Sequence, residues 1–254
     1  MQTLKLQSGI IYGPITSRRL GRSLGINLSP TAYKLCSFDC VYCQYGRTQV
    51  KTDQAQEDTL PRVSEVLAAV EKALAVVPTI DYLTFSGNGE PTLHPRFPKI
   101  VAGVRTLRDR LCPDAKLALL SNSTTAHLPR IKAALKLIDV PIMKLDAGDT
   151  STFVKVNRPA PAVKLTNILE GLRGIHNLTI QSVLITGVMN NITKPALQAW
   201  TEALAQIQPD QIQIYSTDRP VPLAGVERVP PDQLQYIADQ VEAITELPAV
   251  AYWA

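Results

Sequence analysis

A single α/β barrel domain spanning residues 1–254 is the fold this sequence predicts, and three observations predict it. Segments with strand patterning alternate with segments whose apolar residues recur at helical spacing. The 254 residues carry 45% hydrophobic content, enough for one sizeable core. Glycines, polar residues and charges gather where the strands end, which is where parallel barrels build their active sites.

The elements follow in order. Residues 4–15 read as an extended lead-in closed by a turn at Gly13-Pro14, and residues 17–25 as a polar, glycine-punctuated loop in which Arg18 and Arg19 either contact an anion or are solvated. The lead-in covers residues 1–22 and the barrel core residues 23–220. A first strand over residues 23–28 delivers a cysteine-rich loop at its C-terminal end. Residues 49–60 form a polar excursion, and Val66, Leu67, Val70, Ala73 and Leu74 predict a helix over residues 63–77. The strand at 82–86 ends in Gly87-Asn88-Gly89-Glu90-Pro91-Thr92, where glycines permit positive φ and close approach of the backbone to a ligand, or make an ordinary turn.

A helix over 97–110 and a strand over 116–121 come next, the strand closed by Ser121-Asn122-Ser123. After a helix over 128–137, the strand at 140–145 brings Lys144 and Asp146 to one face. A charged pair inside a barrel is costly unless it is paired or bound to ligand, so the two form a salt bridge or a binding site. Asn157-Arg158-Pro159 falls in the loop beyond. A helix over 163–175 leads to a strand over 178–185 carrying Gln181, and a helix over 195–207 leads to a strand over 211–215 ending at Tyr215. Residues 221–254 hold a proline-rich loop, a helix over 232–244 and a short tail.

The chemistry concentrates in Cys36-Ser-Phe-Asp-Cys40-Val-Tyr-Cys43. Three thiols on one tight loop suit a cubane iron-sulfur cluster that leaves one iron open. A zinc knuckle wants a fourth ligand, usually in a second pair, and a dithiol redox pair would leave Cys36 without a purpose. Cys112 lies far downstream, before a strand, and reads as structural or incidental. Four cysteines, three of them clustered, do not make a disulfide framework and fit a reducing compartment. No long apolar run or cleavage-site pattern occurs, and the expected location is the cytoplasm. The three histidines, His94, His127 and His176, form no acid-base or metal set by spacing.

The net charge of +4 is uneven. Residues 1–50 contain Lys5, Arg18, Arg19, Arg22, Lys34 and Arg47 against Asp39 alone. This surplus either attracts an anionic partner such as RNA or neutralises an anionic cluster and cofactor locally.

With its three-cysteine spacing and Tyr42 before the last thiol, the loop resembles the signature of the radical S-adenosylmethionine (radical SAM) enzymes. The frame Tyr12-Gly-Pro-Ile-Thr-Ser-Arg-Arg-Leu-Gly, followed by Ser23-Leu-Gly-Ile-Asn27, is similar to the iron-sulfur oxidoreductase branch related to wybutosine-forming tRNA enzymes. The resemblance implies an open, partial (β/α)6 barrel, a 4Fe-4S cluster on Cys36, Cys40 and Cys43, and S-adenosylmethionine (SAM) at the open iron. It implies SAM contacts from Tyr42, Gly87, Asn88, Gly89, Glu90, Ser121, Asn122, Lys144, Asp146, Gln181 and Tyr215, with the Gly89-Glu90 turn at the methionyl amino group. The implied activity is reductive cleavage of SAM to a 5'-deoxyadenosyl radical that takes hydrogen from an RNA, peptide or metabolite, with a flavodoxin or ferredoxin as electron donor. An activase for a glycyl radical enzyme and an iron-sulfur electron carrier are the alternatives.

Overall fold

The computed structural model describes residues 3–17, 19–77 and 79–253, so Arg18 lies outside the described residues. In chain order the strands and helices are β1 (Ile11–Ser17), β2 (Gly21–Ile26), β3 (Leu35–Cys36), β4 (Val50–Lys51), α1 (Val63–Val76), β5 (Tyr82–Phe85), α2 (Phe97–Leu111) and β6 (Lys116–Ser121). They continue with α3 (Pro129–Leu135), β7 (Val140–Lys144), α4 (Thr150–Asn157), α5 (Leu165–Leu172), β8 (Thr179–Val183), β9 (Ile185–Gly187) and α6 (Lys194–Ile207). The last are β10 (Gln211–Tyr215), β11 (Val226–Arg228), α7 (Pro231–Thr245) and β12 (Ala249–Tyr252).

The main sheet has the order β1-β2-β5-β6-β7-β8-β10-β12. From β2 onward every neighbouring pair is parallel, and β1 adds antiparallel to β2 at one edge. The strands that face the helices carry Leu24, Ile26, Leu83, Phe85, Leu117, Leu119, Ile180, Ile212 and Ile214, all essentially without solvent exposure. Burial of both faces explains why these strands read as apolar runs rather than strict alternation. The result is the open α/β barrel that the sequence predicts, with two additions.

The first addition is at the N-terminal edge. Gly13-Pro14 does not close a turn there; it sits inside β1, as a cis peptide at an irregularity between Tyr12 and Ile15. Proline lacks an N–H, and an edge strand with a bulge tolerates it where a central strand would not. The second addition is at the other edge, where residues expected as a tail form β12, in parallel register with β10 from Ile212↔Ala249 to Tyr215↔Tyr252. The six expected units therefore carry a seventh parallel strand.

A further helix, α4, occupies part of the stretch expected as loop. Asp149 caps it by accepting from the Thr152 N–H at 2.9 Å, and Phe153, Val156 and Asn157 form its buried face. Among the described residues no helix is long and apolar enough to cross a membrane.

Candidate active site

The cysteine loop is fastened to three separate parts of the barrel mouth. Its entry, β3, pairs with β4 and bridges in parallel to Gly89 through Leu35. Residues 37–41 are zipped to the end of α4 by Asp39 N–H to Asn157 O at 3.0 Å, Val41 N–H to Val156 O at 3.0 Å and Ala160 N–H to Ser37 O at 2.8 Å. Phe38 packs edge-on against Phe153 of α4, with ring centroids 5.4 Å apart. The missed helix is thus the platform of the loop. Asn157-Arg158-Pro159, expected in the loop beyond the strand at 140–145, belongs to that platform, with Asn157 ending α4 and Arg158 at its C-cap.

The thiols of Cys36 and Cys40 are buried, Cys43 is partly exposed, and none forms a disulfide. The Asn122 Nδ2 donates to Cys36 Sγ at 3.4 Å and the Asn157 Nδ2 to Cys40 Sγ at 3.5 Å. Burial pushes the Cys36 thiol up to about 12, although the nearby Lys34 ammonium works in the opposite direction. Burial likewise raises Cys40 to about 11, with the charges of Asp146 and Cys43 adding to it. The free Cys36 and Cys40 thiols therefore stay protonated at neutral pH, and a metal that binds them must displace those protons.

Lys34, which no spacing singled out, lies among these thiols. Its side chain is buried and donates to Gly46 O at 2.9 Å. Burial alone would depress its pKa, but the charges of Cys43 and Cys36 outweigh that and raise it. A buried ammonium is costly unless opposite charge offsets it, and these sulfurs supply that charge once they ionise, as they do on binding a metal.

Across the mouth, Asp146 at the end of β7 is fully buried and every acceptor position is used. Its carboxylate accepts from Asn157 Nδ2 at 2.6 Å, from the Val183 N–H at 2.8 Å and from the Tyr42 hydroxyl. The Lys144 ammonium lies 3.3 Å from Asp146 Oδ1. Burial opposes the Lys144 charge, yet Asp146, Tyr215 and Cys40 hold its pKa above the usual lysine value. The same ammonium sits 5.0 Å from the centre of the Tyr42 ring and 5.5 Å from that of Tyr215. Burial also raises the Tyr42 phenol, with Asp146 adding to the effect, so Tyr42 remains a donor. Lys144, Gln181 and Gln213 are register partners on β7, β8 and β10, and Tyr215 donates to Gln181 Oε1 at 3.2 Å.

The glycine turn after β5 is held in place by its own side chains. Asn88 is wholly buried, and its amide exchanges hydrogen bonds with Gln7 at 2.7 and 2.9 Å and donates to Pro30 O at 3.0 Å. Glu90 is also buried, accepting from the Thr92 N–H, the Thr92 hydroxyl, the Ser121 hydroxyl at 2.9 Å and the Asn122 N–H at 2.6 Å. Burial raises its pKa against those four donors. A Cβ on Gly87, which has φ +137°, would lie 2.4 Å from Asn27 Oδ1, and one on Gly89 would lie 1.7 Å from Leu35 O. The side chains of Asn88 and Glu90 therefore fix the turn and aim Asn122 at Cys36, and the main-chain N–H groups of the same two residues are paired as well, with Asn27 Oδ1 at 3.0 Å and Leu35 O at 3.3 Å.

Among the described residues, no three His, Cys, Asp or Glu side chains converge as a single-ion metal site. The thiols are spread along the loop, and a cubane takes each thiolate on a different iron, so a spread set with N–H donors at two sulfurs fits such a cluster. A cavity of about 480 Å³, lined in part by Leu93, Thr125, His127, Arg130 and Lys164, includes none of the cysteine loop.

Known proteins align with these features. The model of the radical SAM superfamily matches residues 32–200. A UPF0026 protein of Methanocaldococcus jannaschii is 32% identical over 246 residues, which is 95% of this chain and 70% of the relative. Among solved structures, TYW1 with a bound lysine-pyruvate adduct aligns with a TM-score of 0.59 and 15% identity, over 87% of this chain and 73% of that one. A radical SAM methyltransferase from Sphaerobacter thermophilus aligns with a TM-score of 0.67 and 14% identity, over 91% and 66%. At such identities the two structures share a fold with this chain, the open barrel described above.

Proposed function

This chain belongs to the radical SAM superfamily, and on that premise we propose that it is an enzyme whose Cys36, Cys40 and Cys43 hold a 4Fe-4S cluster and whose barrel mouth binds SAM. When bound, cluster and SAM together supply reductive cleavage to methionine and a 5'-deoxyadenosyl radical that takes a hydrogen atom from substrate. Enzymes of this superfamily need a reductant, and a flavodoxin or ferredoxin is the donor we propose.

One observation carries this reading: two buried amides, Asn122 and Asn157, donate to the sulfurs of two buried thiols that have no disulfide partner. Hydrogen bonds to ligand sulfurs stabilise thiolate charge and tune an iron-sulfur centre. Lys144 keeps an ammonium at the mouth, suited to the SAM carboxylate, and Tyr215 and Gln181 offer a ring face and an amide for the nucleoside. With the Asn88 and Glu90 side chains and N–H groups already paired, we assign the methionyl amino group to main-chain carbonyls of the turn, which can accept from it. The test is anaerobic reconstitution followed by reduction with dithionite in the presence of SAM. The expected result is about four irons per chain and release of 5'-deoxyadenosine, with neither from Cys40→Ala. A protein that loads iron fully yet binds no SAM and forms no 5'-deoxyadenosine would return the chain to the electron-carrier alternative.

A further inference from the structure

Inside the barrel, below the mouth, lies a second cavity of about 150 Å³. Tyr12, Ser17, Ser23, Thr84, Ser86 and Gln181 supply its polar wall. No residue of the cysteine loop, and neither Lys144 nor Asp146, lines it, and it adjoins the proposed SAM site through Gln181, as a substrate site must.

One cation enters this space. Arg19 lies in the connection between β1 and β2, where the Ser17 hydroxyl accepts from the N–H groups of Arg19 and Leu20 at 3.2 and 3.3 Å and fixes the backbone. Its guanidinium stacks 4.5 Å from the centre of the Tyr215 ring. Among the described residues its Nη1 is buried with no hydrogen-bond partner, and none of those lining the cavity is acidic. A buried guanidinium nitrogen left unpaired is costly, and native proteins retain such groups where something else supplies the acceptor. The hydroxyls nearby are already paired with one another, Ser23 with Thr84 at 2.7 Å and Tyr12 with Ser86, so they leave Arg19 the dominant unmet demand.

We propose that Arg19 is the recognition group for a carboxylate on the substrate, and that the enzyme acts on a carboxylic acid held inside the barrel. The inference deepens the proposed function and rests on it for the reaction, though not for the binding. A carboxylate matches the site better than a phosphate does. The cavity presents one positive charge among neutral hydroxyls and an amide, which balances a monoanion and leaves a dianion partly uncompensated. A planar guanidinium also offers a carboxylate paired donors in one plane.

The test measures binding to anaerobically reconstituted holoprotein by calorimetry, with acetate, lactate and inorganic phosphate as probes and acetamide as the neutral control. The expected result is that acetate or lactate binds and acetamide does not, and that Arg19→Gln weakens the carboxylates at least tenfold. Arg19→Lys keeps the charge and loses the planar fork, so it should bind carboxylates between the two and still reject acetamide. It also serves if Arg19→Gln fails to fold by circular dichroism. Equal carboxylate affinity in wild type and the Arg19 variants, or no binding of any probe, overturns the proposal, because Nη1 is then met by water. Phosphate binding tighter than both carboxylates overturns it in favour of a phosphorylated substrate. Arg19-dependent carboxylate binding in a protein that never forms 5'-deoxyadenosine keeps the subsite and removes the radical reading. Formation of 5'-deoxyadenosine without such binding does the reverse.

Discussion

Replacing Asp146 with alanine tests how the barrel mouth holds the cysteine loop. The substitution removes the partner of Lys144, leaves the Val183 N–H and the Tyr42 hydroxyl without their acceptor, and takes from the Asn157 amide its shortest one. Breaking a buried ion pair from one side costs about 3–5 kcal/mol, because the remaining charge is left uncompensated. The unmet donors act through the same carboxylate, so their costs are not added separately. At ~2–4 °C per kcal/mol for a chain of this size, the apo-protein should melt about 6–20 °C lower. Thermal unfolding of cluster-free, SAM-free protein measures this without any contribution from bound groups. The second arm is Lys144→Met in the same background, which deletes the orphaned ammonium and should restore at least about 1 kcal/mol. A loss below about 1 kcal/mol in the single variant, or strict additivity in the pair, would refute the network. The pH dependence has a definite sign. Because the Lys144 pKa is raised in the folded state from 10.5, its pairing contributes fully below pH 10.5 and is lost only as pH rises through the folded value. The gap between wild type and Asp146→Ala should therefore narrow in strongly alkaline solution, with no change in Lys144's contribution at neutral pH.

Alanine at Cys36, Cys40 or Cys43 should each abolish iron uptake, while Cys112→Ala should load normally, since Cys112 caps the C-terminus of α2 before β6 begins, at the other end of the barrel; iron per chain after reconstitution decides. Cluster assembly should accelerate as pH rises, because the Cys36 and Cys40 thiols, at about 12 and about 11, must lose protons to become ligands. Lys34→Met removes the charge that lowers Cys36 and should move that rate profile to higher pH, so superimposable profiles would deny Lys34 its role. Gly89→Ala should destabilise the apo-protein by more than ~3 kcal/mol, near the upper end for single substitutions, because its Cβ would meet the main-chain oxygen of Leu35 at 1.7 Å. An unchanged urea midpoint would contradict that contact.

The helices with long apolar periodicity were legible in the sequence, and so were the strands between them. Residues 63–77 and 97–110 differ from α1 and α2 by a single terminal residue, because Val66, Val70 and Leu74, and Ile100, Val101 and Val104, face one core. Helix α4 was not legible by the same route. Its Thr-Ser-Thr-Phe-Val-Lys-Val-Asn sequence is rich in β-branched residues, which are modest helix formers, and packing against Phe38 decides its state. Asp149 at its N-cap was the one local signal. Strand β12 has four residues and exists through its pairing with β10, which no local pattern encodes. In the site, the spacing marked the cysteines and the Lys144-Asp146 face. It could not mark Lys34 or Asn157, whose parts depend on contacts made across the fold.

The basic surplus of the first 50 residues reads differently once its members are placed. Lys34 is buried among the thiols, and Arg47 lies 3.4 Å from Asp39. Arg22 donates through its guanidinium to Thr79 and through its backbone to Asp81, on the outside of the β2–β5 junction. Arg19 points inward over Tyr215, and Lys5 is exposed on the lead-in. A surface that holds a polyanion needs its cations on one face and open to solvent, because the binding free energy comes largely from counterion release along the backbone. Here the five described cations divide among the cluster loop, a surface ion pair, a strand junction, the barrel interior and an exposed extension. That distribution favours local neutralisation of the cluster environment over an extended nucleic-acid face. It also assigns the inward-facing Arg19 a task that one small anion can meet.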